Sequence, residues 1–563
     1  MLHAVLLHTG KILCFGGHVE SCFYPAISYV FDPANTARPL VPIPFPSGVD
    51  LFCCHYVQLP NGRILVMGGS DKDFRHHGSV GAKNIVLFEP RTASPFGRWI
   101  NTGNDMAQGR WYPTPVMLPD GRVMVVSGRP EMGGGTISDE VEILGPPHRV
   151  AQTQVGATKE FPIYPGLHLA PNGRVYWTAT TWGQAIPNPD TASIDIPPDP
   201  TTSTPWTDHG TRPAQPRREE GMSVLLPLTG AATDGRILLI GGTAALKAGG
   251  TGVLTAPAPV GAGAFHHVHA PVAPDPPDSL RAEILDTTVT PPVWSAAPST
   301  RGPGNPPMFQ GRTNGHCVLL PDETVFVCGG HNGYKWQKAP GTEPSTESEI
   351  FTPGVGFRRT SAMPPEANDR MHAPRMYHSV ALLLPDGRVW VAGGADPNRG
   401  EPVLPWPPDW GGTPPPPVPI TYPPYAAAAT ILGYTGLAHN DKTWECYEPP
   451  YNFNPDNAAR PKIDQVRRNG ARSDRIRYGS TFTIRTQQAA SINRVAIMRP
   501  GAPTHHTDTE QRYIRLTFTR AGNDLTVTME ADAKKAPPGF YMLWIVDTSG
   551  RPCKVAPFIH LVT

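Results

Sequence analysis

The sequence predicts an all-β protein in which a seven-bladed β-propeller is followed by a smaller β-sandwich. Three observations support this prediction. A hairpin phrase recurs seven times between residues 9 and 394, and strand patterns of another kind begin near residue 462. Pro and Gly, at 69 and 57 of 563 residues, supply the dense turns that many short strands require. A hydrophobic content of 39% is enough for a packed core.

The repeated phrase combines a tight turn, an apolar strand and, in most copies, a Gly-Gly pair. Its copies are TGKILCFGG (9–17), NGRILVMGG (61–69), DGRVMVVSG (120–128), NGRVYWTAT (172–180), DGRILLIGG (234–242), PDETVFVCGG (321–330) and DGRVWVAGG (386–394). Asn-Gly and Asp-Gly are signals of a two-residue hairpin turn, and an apolar strand precedes most copies. A row of separate hairpin domains is disfavoured because lone hairpins are marginal in water. Seven copies therefore predict a propeller, and the double Gly resembles the kelch repeat.

A Pro-rich segment at residues 399–461 follows the last repeat and contains the run TPPPP. Pro donates no backbone hydrogen bond, so this segment does not suit a central strand. Strand patterns then return, as in RYGSTFTIRT, INRVAIMRP, QRYIRLTFTR, NDLTVTMEA and FYMLWIVDTSG. Short strands at this density are typical of an immunoglobulin-like β-sandwich. We divide the chain into a kelch-type propeller at 1–445, with the Pro-rich segment at its end, and a sandwich at 446–563.

Composition argues against several classes of protein. The net charge of +1, from 48 Lys+Arg and 47 Asp+Glu, provides no long-range field for binding nucleic acid. No stretch near 20 residues is continuously apolar, so we expect no membrane span. The eight cysteines show no CxxC spacing, which disfavours a disulfide framework and a cysteine zinc site. We also expect a monomer.

The first residues, MLHAVLLHTGKILCFGG, do not resemble a signal peptide. They lack a basic region, and their apolar part continues into a strand. Either the protein stays in the cytoplasm or a leader is absent from this chain.

Four places carry side chains that suit a redox metal. Cys53 in DLFCCH, Tyr112 in GRWYPT and Tyr377-His378 in RMYHSV each lie at the head of a strand, at a similar distance before its hairpin turn. The heads of equivalent strands should meet at one end of a propeller axis. His505 in PTHHTDTEQR lies in a loop of the last domain. Imidazole and phenolate are ligands of copper(II), although each residue by itself is more often a packed side chain, and a lone Cys a small buried hydrophobe.

Taken together, these motifs are specific. The FC of DLFCCH, the RWY of GRWYPT, the Tyr-His of RMYHSV and the TH of PTHHTDTEQR with its following Gln-Arg resemble the galactose oxidase and glyoxal oxidase family of copper radical oxidases. The resemblance covers essentially the whole chain. That family combines a seven-bladed kelch propeller with an immunoglobulin-like domain, in the order predicted here.

The resemblance implies one copper ion per chain. Tyr112, His378 and His505 would be near ligands, and Tyr377 a weaker axial ligand. Cys53 would be joined through sulfur to the ring of Tyr112, which makes a one-electron radical cofactor from two side chains. Because His505 belongs to the last domain, its loop must reach the propeller axis.

Two neighbouring residues could be mistaken for members of this set. The FC match favours Cys53 over Cys54, and alternation along a strand points Cys54 to the opposite face. The spacing to the following Gln-Arg favours His505 over His506. The implied reaction oxidises a primary alcohol or small aldehyde with O2 and releases H2O2.

Departures from galactose oxidase bear on the substrate. Pro130 stands where that enzyme has a Trp that shields the radical, and Pro165 stands where it has a sugar-binding Arg. His331 falls near the position of a substrate-binding Gln, and Trp182 and Trp336 are candidates for another shield. The Tyr-Pro pair that includes Pro165 resembles the glyoxal oxidase branch. We therefore expect small aldehydes or simple primary alcohols as substrates, and not galactose.

Two alternatives stay open on the sequence alone. A kelch propeller without catalytic function could bind a protein or a glycan, and such a protein needs no convergence of the five candidate residues. A metal-binding relic could keep the ligands without ever forming the thioether. Comparing the intact mass with and without copper would distinguish these cases, because the cross-link removes two hydrogens.

Overall fold

The structure is a computed structural model of the chain. The residues that it describes are 3–16, 28–35, 42–46, 48–70, 81–93, 96–130, 137–145, 152–153, 157–178, 180–181, 191–197, 204–210, 218–244, 279–302, 305–332, 344–360, 375–394, 444–452 and 460–563. Trp182, Trp336 and residues 399–443 and 453–459 of the Pro-rich segment lie outside the described residues.

Seven antiparallel sheets form the blades of the propeller, which confirms the predicted fold class. Every copy of the repeated phrase provides the second strand of one blade. The first strands of most neighbouring blades contact each other around the axis, and those of the first and last blades close the ring.

The strands of the blades are as follows. Blade 1 contains β1 (His3–Leu6), β2 (Ile12–Phe15) and β3 (Ser28–Phe31); blade 2 contains β4 (His55–Gln58), β5 (Ile64–Met67), β6 (Asn84–Pro90) and β7 (Gly97–Asp105); blade 3 contains β8 (Thr114–Met117), β9 (Val123–Val126), β10 (Glu142–Leu144) and β11 (Gln152–Thr153). Blade 4 contains β12 (Leu167–Leu169), β13 (Arg174–Trp177), β15 (Ala192–Asp195) and β16 (Thr207–Asp208); blade 5 contains β18 (Met222–Leu225), β19 (Arg236–Ile240), β21 (Ala282–Asp286) and β22 (Val293–Ala296). Blade 6 contains β23 (Thr313–Leu319), β24 (Val325–His331), β25 (Glu349–Thr352) and β26 (Gly356–Arg359); blade 7 contains β27 (Ser379–Leu383), β28 (Val389–Gly393) and β29 (Trp444–Tyr447). A small sheet contains β14 (Thr180–Thr181) from a loop of blade 4, β17 (Arg218–Glu219) from the connection to blade 5 and β20 (Thr243–Ala244) from a loop of blade 5. The domain boundary predicted between residues 445 and 446 falls within β29.

The strands are short and apolar because both faces of a blade pack against neighbouring blades. All four residues of β9 are buried, for example. The Gly-Gly pairs allow close packing of backbone. A Cβ on Gly68, where φ is +72°, would lie 2.2 Å from the carbonyl oxygen of Arg110 at the start of the next blade. Gly329, with φ of +65°, has the same relation to Arg375, at 2.4 Å. A side chain at either position would push two blades apart.

The C-terminal domain is a sandwich of two sheets that share one long strand, which confirms the predicted second fold. Its strands are β30 (Gln465–Arg468), β31 (Ala471–Arg472), β32 (Arg475–Arg477), β33 (Thr481–Arg485), β34 (Ile492–Arg499), β35 (Arg512–Ala521), β36 (Asp524–Thr528), β37 (Gly539–Asp547) and β38 (Phe558–Val562). The first half of β35 pairs with β34 and its second half with β36, so this strand passes from one sheet to the other.

Regular structure is nearly all strand within the described ranges, with short 3-10 turns at Pro450–Asn452 and Ala489–Ser491. Within those ranges, no helix has the length and apolar character needed to cross a membrane.

Candidate metal centre

The five candidate residues from the sequence analysis lie together at one end of the propeller axis. The hydroxyl oxygens of Tyr112 and Tyr377 are 2.7 Å apart. The Sγ of Cys53 is 3.9 Å from Nε2 of His505. Cys53, His378 and His505 offer ligand atoms that all lie within 4.8 Å of one another. All five side chains are buried, none being more than 8% exposed.

Backbone geometry sets these residues apart from their neighbours. Cys53, Tyr112, His378 and His505 all have positive φ, between 56° and 68°. This region costs a residue with a Cβ about 1–3 kcal/mol, so it persists only where surrounding contacts enforce it. Such strain is found most often at functional sites.

Hydrogen bonds between neighbouring blades enforce this backbone. The N–H of Tyr112 donates to the carbonyl of Cys53 at 3.0 Å, and the N–H of Tyr164 donates to the carbonyl of Tyr112 at 3.1 Å. Two further strand heads, Glu220 and Asn314, are joined in the same way at 2.9 Å. Tyr164, Glu220 and Asn314 also have positive φ. The heads of blades 2, 3 and 4 are thus joined to one another, and so are those of blades 5 and 6.

A buried arginine fixes each of four heads. Arg110 lies two residues before Tyr112 and pairs with Glu142 on β10, at 2.7 Å, with both side chains fully buried. Arg375 lies two residues before Tyr377 and pairs with Glu445 on β29, at 2.9 Å. Equivalent pairs precede Glu220 and Asn314; they are Arg218–Glu283 and Arg312–Glu349. Because each Glu belongs to the third strand of the same blade, the pair anchors the head to its own sheet.

His505 reaches the axis on the axial loop, which we define as residues 500–511 between β34 and β35. Blades 2, 3 and 6 bind the two ends of this loop. Gln58 on β4 donates to the carbonyl of Pro500 at 3.3 Å, and the Thr509 hydroxyl donates to the carbonyl of Pro115 on β8 at 2.8 Å. The Gln511 amide donates to the carbonyl of Cys317 on β23 at 2.8 Å. The C-terminal domain therefore contributes one imidazole to a cluster otherwise supplied by the propeller.

Contacts behind His505 orient its ring. Its Nε2 faces Cys53, whereas its Nδ1 lies 2.8 Å from the hydroxyl of Thr504. The same hydroxyl lies 2.9 Å from Nδ1 of His3 on β1. Burial lowers the pKa of His3 to about 3, so its ring is neutral at ordinary pH. The Tyr164 ring packs against His505 at a tilt of 47°, with ring centroids 4.7 Å apart.

Burial keeps the two phenols of this cluster protonated in the absence of a cation. Burial raises the pKa of Tyr112 and of Tyr377 well above the usual phenol value, and the neighbouring Cys53 adds to the effect. Neutral phenols at this distance share a hydrogen bond, whereas a bound cation would stabilise their phenolate forms. Two imidazoles and two phenols form a nitrogen and oxygen donor set that suits copper(II), so the residues present fit the implied ion.

Two aromatic side chains pack against the Tyr112 ring within the described residues. Trp111, its own neighbour in sequence, packs at 67° with centroids 4.1 Å apart, and Tyr164 packs at 88° with centroids 4.6 Å apart. Pro130, where the shielding Trp was missing, lines a cavity of about 420 Å³ together with Ile137, which packs in the same apolar cluster as Tyr112.

Of the other residues predicted to contact substrate, one lies near the strand heads and two lie outside the described residues. His331 ends β24, and its Nε2 lies 3.0 Å from the hydroxyl of Thr313. It is therefore beside the series of strand heads, next to Asn314. Trp182 and Trp336 fall outside the described residues, so their role as a shield stays a prediction.

Sequence reasoning did not select Tyr164, Glu220, Asn314, Thr504 or His3 as site residues. An arginine two residues ahead of the strand head would have indicated Glu220 and Asn314, since Tyr112 and Tyr377 follow the same spacing. No local pattern marks His3. It contacts Thr504, although the two residues are 501 positions apart in the sequence.

Comparisons with known proteins agree with both domains. A family model described as "Glyoxal oxidase N-terminus" matches residues 18–251, and one described as "Galactose oxidase-like, Early set domain" matches residues 460–561. A galactose oxidase of Gibberella zeae is 25% identical over 525 residues, which cover 89% of this chain and 60% of the relative. Aldehyde oxidase GLOX of Vitis pseudoreticulata is 26% identical over 549 residues, which cover 94% of this chain and 84% of the relative.

A solved structure shares the fold. It is that of a fungal alcohol oxidase of the AA5 family in complex with copper, with a TM-score of 0.69 and 20% identity over 100% of this chain and 96% of that one. The chain spans about three fifths of the length of the galactose oxidases that it matches, at 60% coverage.

Proposed function

Because the chain belongs to the galactose oxidase and glyoxal oxidase family, we propose that it is a copper radical oxidase. It would oxidise a primary alcohol or small aldehyde with O2 and release H2O2. The observation that carries this proposal is the convergence of Cys53, Tyr112, Tyr377, His378 and His505 at one end of the axis. Kelch propellers that only bind a partner have no need of such a cluster.

Four side chains would hold the ion. These are the imidazoles of His378 and His505 and the phenols of Tyr112 and Tyr377, with the two hydroxyls already 2.7 Å apart. When bound, copper would supply a one-electron acceptor, so that one more acceptor is needed for the two-electron oxidation of an alcohol.

Cys53 and Tyr112 would supply that second acceptor through a thioether. Forming the bond from sulfur to ring carbon removes the thiol hydrogen and one ring hydrogen, and O2 takes up the two electrons. The packing supports Cys53 for this role, because it shares an apolar cluster with Tyr112. Cys54 packs in a different cluster, between blades 1 and 2. The sulfur substituent makes the Tyr112 ring easier to oxidise to a radical.

The two tyrosine hydroxyls can act on the same CH–OH group of the substrate. Tyr377 Oη would accept the proton of the substrate hydroxyl, and the oxidised Tyr112 Oη would accept the hydrogen atom from carbon. Their separation of 2.7 Å allows both to reach the same carbon and oxygen. Burial of the cluster excludes water, which protects the radical and strengthens each polar contact.

Substrate choice would depend on the remaining strand heads. Glu220 and Asn314 occupy positions equivalent to those of Tyr112 and Tyr377, and the Asn314 amide donates to the Glu220 carboxylate at 2.6 Å. Pro165 cannot offer the paired donors by which an Arg holds sugar hydroxyls. Small aldehydes, simple diols or aryl alcohols should therefore be oxidised faster than galactose.

A peroxidase-coupled assay over such a panel, on copper-loaded and oxidised protein, tests the proposal. We expect H2O2 from several small substrates and the lowest kcat/KM for galactose. If galactose had the highest kcat/KM, the argument from Pro165 would be wrong. If no substrate gave peroxide, a non-catalytic propeller would become the better account.

A further inference from the structure

We propose that Thr504 and His3 are positioning residues that hold His505 as the tautomer protonated at Nδ1, with the lone pair of Nε2 facing the metal centre. Three side chains from two domains form this chain of contacts. His505 and Thr504 belong to the axial loop, and His3 belongs to blade 1. The inference rests on the proposed function only insofar as the ion is copper.

The direction of each hydrogen bond follows from its partner. Nε2 of His3 lies 3.8 Å from Sγ of Cys54, and the ring also interacts with the carbonyl of Leu51, which can only accept and therefore calls for a proton on the ring nitrogen that faces it. Since its Nδ1 faces Thr504 at 2.9 Å, that proton is on Nε2 and Nδ1 is an acceptor. The hydroxyl of Thr504 then donates its only proton to His3.

That donation determines the tautomer of His505. With its proton used, the oxygen of Thr504 offers only lone pairs to Nδ1 of His505, 2.8 Å away. Nδ1 of His505 must therefore be the donor. The Tyr164 hydroxyl, which lies near Thr504, directs its own proton to the carbonyl of Cys54 at 2.9 Å. Tyr164 therefore supplies no proton to Nδ1 of His505.

These hydrogen bonds therefore orient the His505 ring for metal binding before an ion binds. A hydrogen bond at the far nitrogen fixes the ring orientation of a metal-binding His and raises its basicity, and losing it typically costs about 10–100-fold in metal affinity or activity. His3 also links the first strand of the propeller to the axial loop, through the bridge between His3 and Thr504. Blade 1 thus supports the centre although none of its side chains belongs to the cluster.

Thr504→Val and Thr504→Ser test the role of the hydroxyl. We expect Thr504→Val to weaken copper binding about 10–100-fold, measured by competition with a chelator, and Thr504→Ser to restore it. His3→Phe keeps a ring against Phe15, which stacks at 4.9 Å, but removes the acceptor, and should also weaken binding. Urea unfolding of the copper-free proteins separates this effect from a loss of folding.

A matched control removes the same kind of contact elsewhere. Nε2 of the buried His168 lies 2.8 Å from the hydroxyl of Ser223, between blades 4 and 5. Ser223→Ala should leave copper affinity unchanged. Equal losses in Thr504→Val and Thr504→Ser, or wild-type affinity in a folded Thr504→Val, would overturn the proposal.

A second measurement does not depend on copper. Nitrogen NMR of copper-free protein carrying 15N-histidine should show a protonated Nδ1 for His505, identified by its loss in His505→Gln. Thr504→Val should mix the two tautomers. A wild-type His505 protonated at Nε2 would overturn the inference. Absence of copper binding in the wild type would instead contradict the proposed function, and the NMR result would still decide the tautomer.

Discussion

Replacing Asp508 with Asn should stabilise the protein at neutral pH but not in acid. Asp508 lies half-buried in the axial loop, and its Oδ1 accepts N–H bonds from Glu510 at 2.9 Å and Ala502 at 3.3 Å. Burial outweighs these bonds and raises the pKa of Asp508 from 3.8 to about 6. The charged form is therefore less stable in the folded protein than in the unfolded chain.

The sign and size of the effect follow from this difference in pKa. Between about pH 4 and pH 6 the folded state keeps a proton that the unfolded state has lost, so the contribution of Asp508 to stability falls as pH rises. A difference of about two pKa units corresponds to about 3 kcal/mol. Asn has no charge to lose, so Asp508→Asn should gain about 3 kcal/mol over the wild type between pH 4 and pH 7.

Urea unfolding of copper-free wild type and variant at several pH values measures this gain. Comparing the two proteins at each pH cancels every other titrating group and any constant change in packing. Asp105→Asn, an exposed position on β7, controls for the change in net charge. A difference between Asp508→Asn and wild type that stays constant or shrinks with rising pH would refute the reasoning.

Three further outcomes are expected. Cys53→Ala should keep copper binding and folding but lose oxidation, whereas Cys54→Ala should keep all three; peroxide release and copper content check this, and full turnover by Cys53→Ala would contradict it. Glu510→Ala should cost about 3–5 kcal/mol in urea unfolding, because it leaves Arg499, paired at 2.8 Å, buried without its carboxylate; a loss below 1 kcal/mol would show that backbone carbonyls compensate. His505→Ala should remove most copper affinity, and unchanged binding by chelator competition would exclude it as a ligand.

Local signals made the strands predictable. A turn such as Asn61-Gly62 and the apolar run after it specify a hairpin without reference to the rest of the chain, so all seven second strands were predicted. The convergence of these side chains was harder to predict, because it depends on how the blades are arranged around the axis. Glu220 and Asn314 carry no motif of their own, and they are recognised only by their position relative to a buried arginine.

Contacts between segments that are far apart in the sequence could not be predicted. His3 and Thr504 are each unremarkable in their local context, and they meet only because the axial loop passes along the inner strand of blade 1. The packing of the Trp111 indole against Tyr112 was not predicted either, because adjacent residues of an extended chain usually point to opposite sides. The monomeric state and the domain boundary stay predictions.

Peptide mass spectrometry tests the central claim most directly. The copper-free protein, purified without oxidation, is compared with the same protein after exposure to copper and O2. We predict that exposure joins the peptide containing Cys53 to the peptide containing Tyr112, with a combined mass lower by two hydrogens, and that Cys54→Ala protein gives the same product. Recovery of the two peptides separate and unmodified after exposure, in protein that has bound copper, would contradict the account.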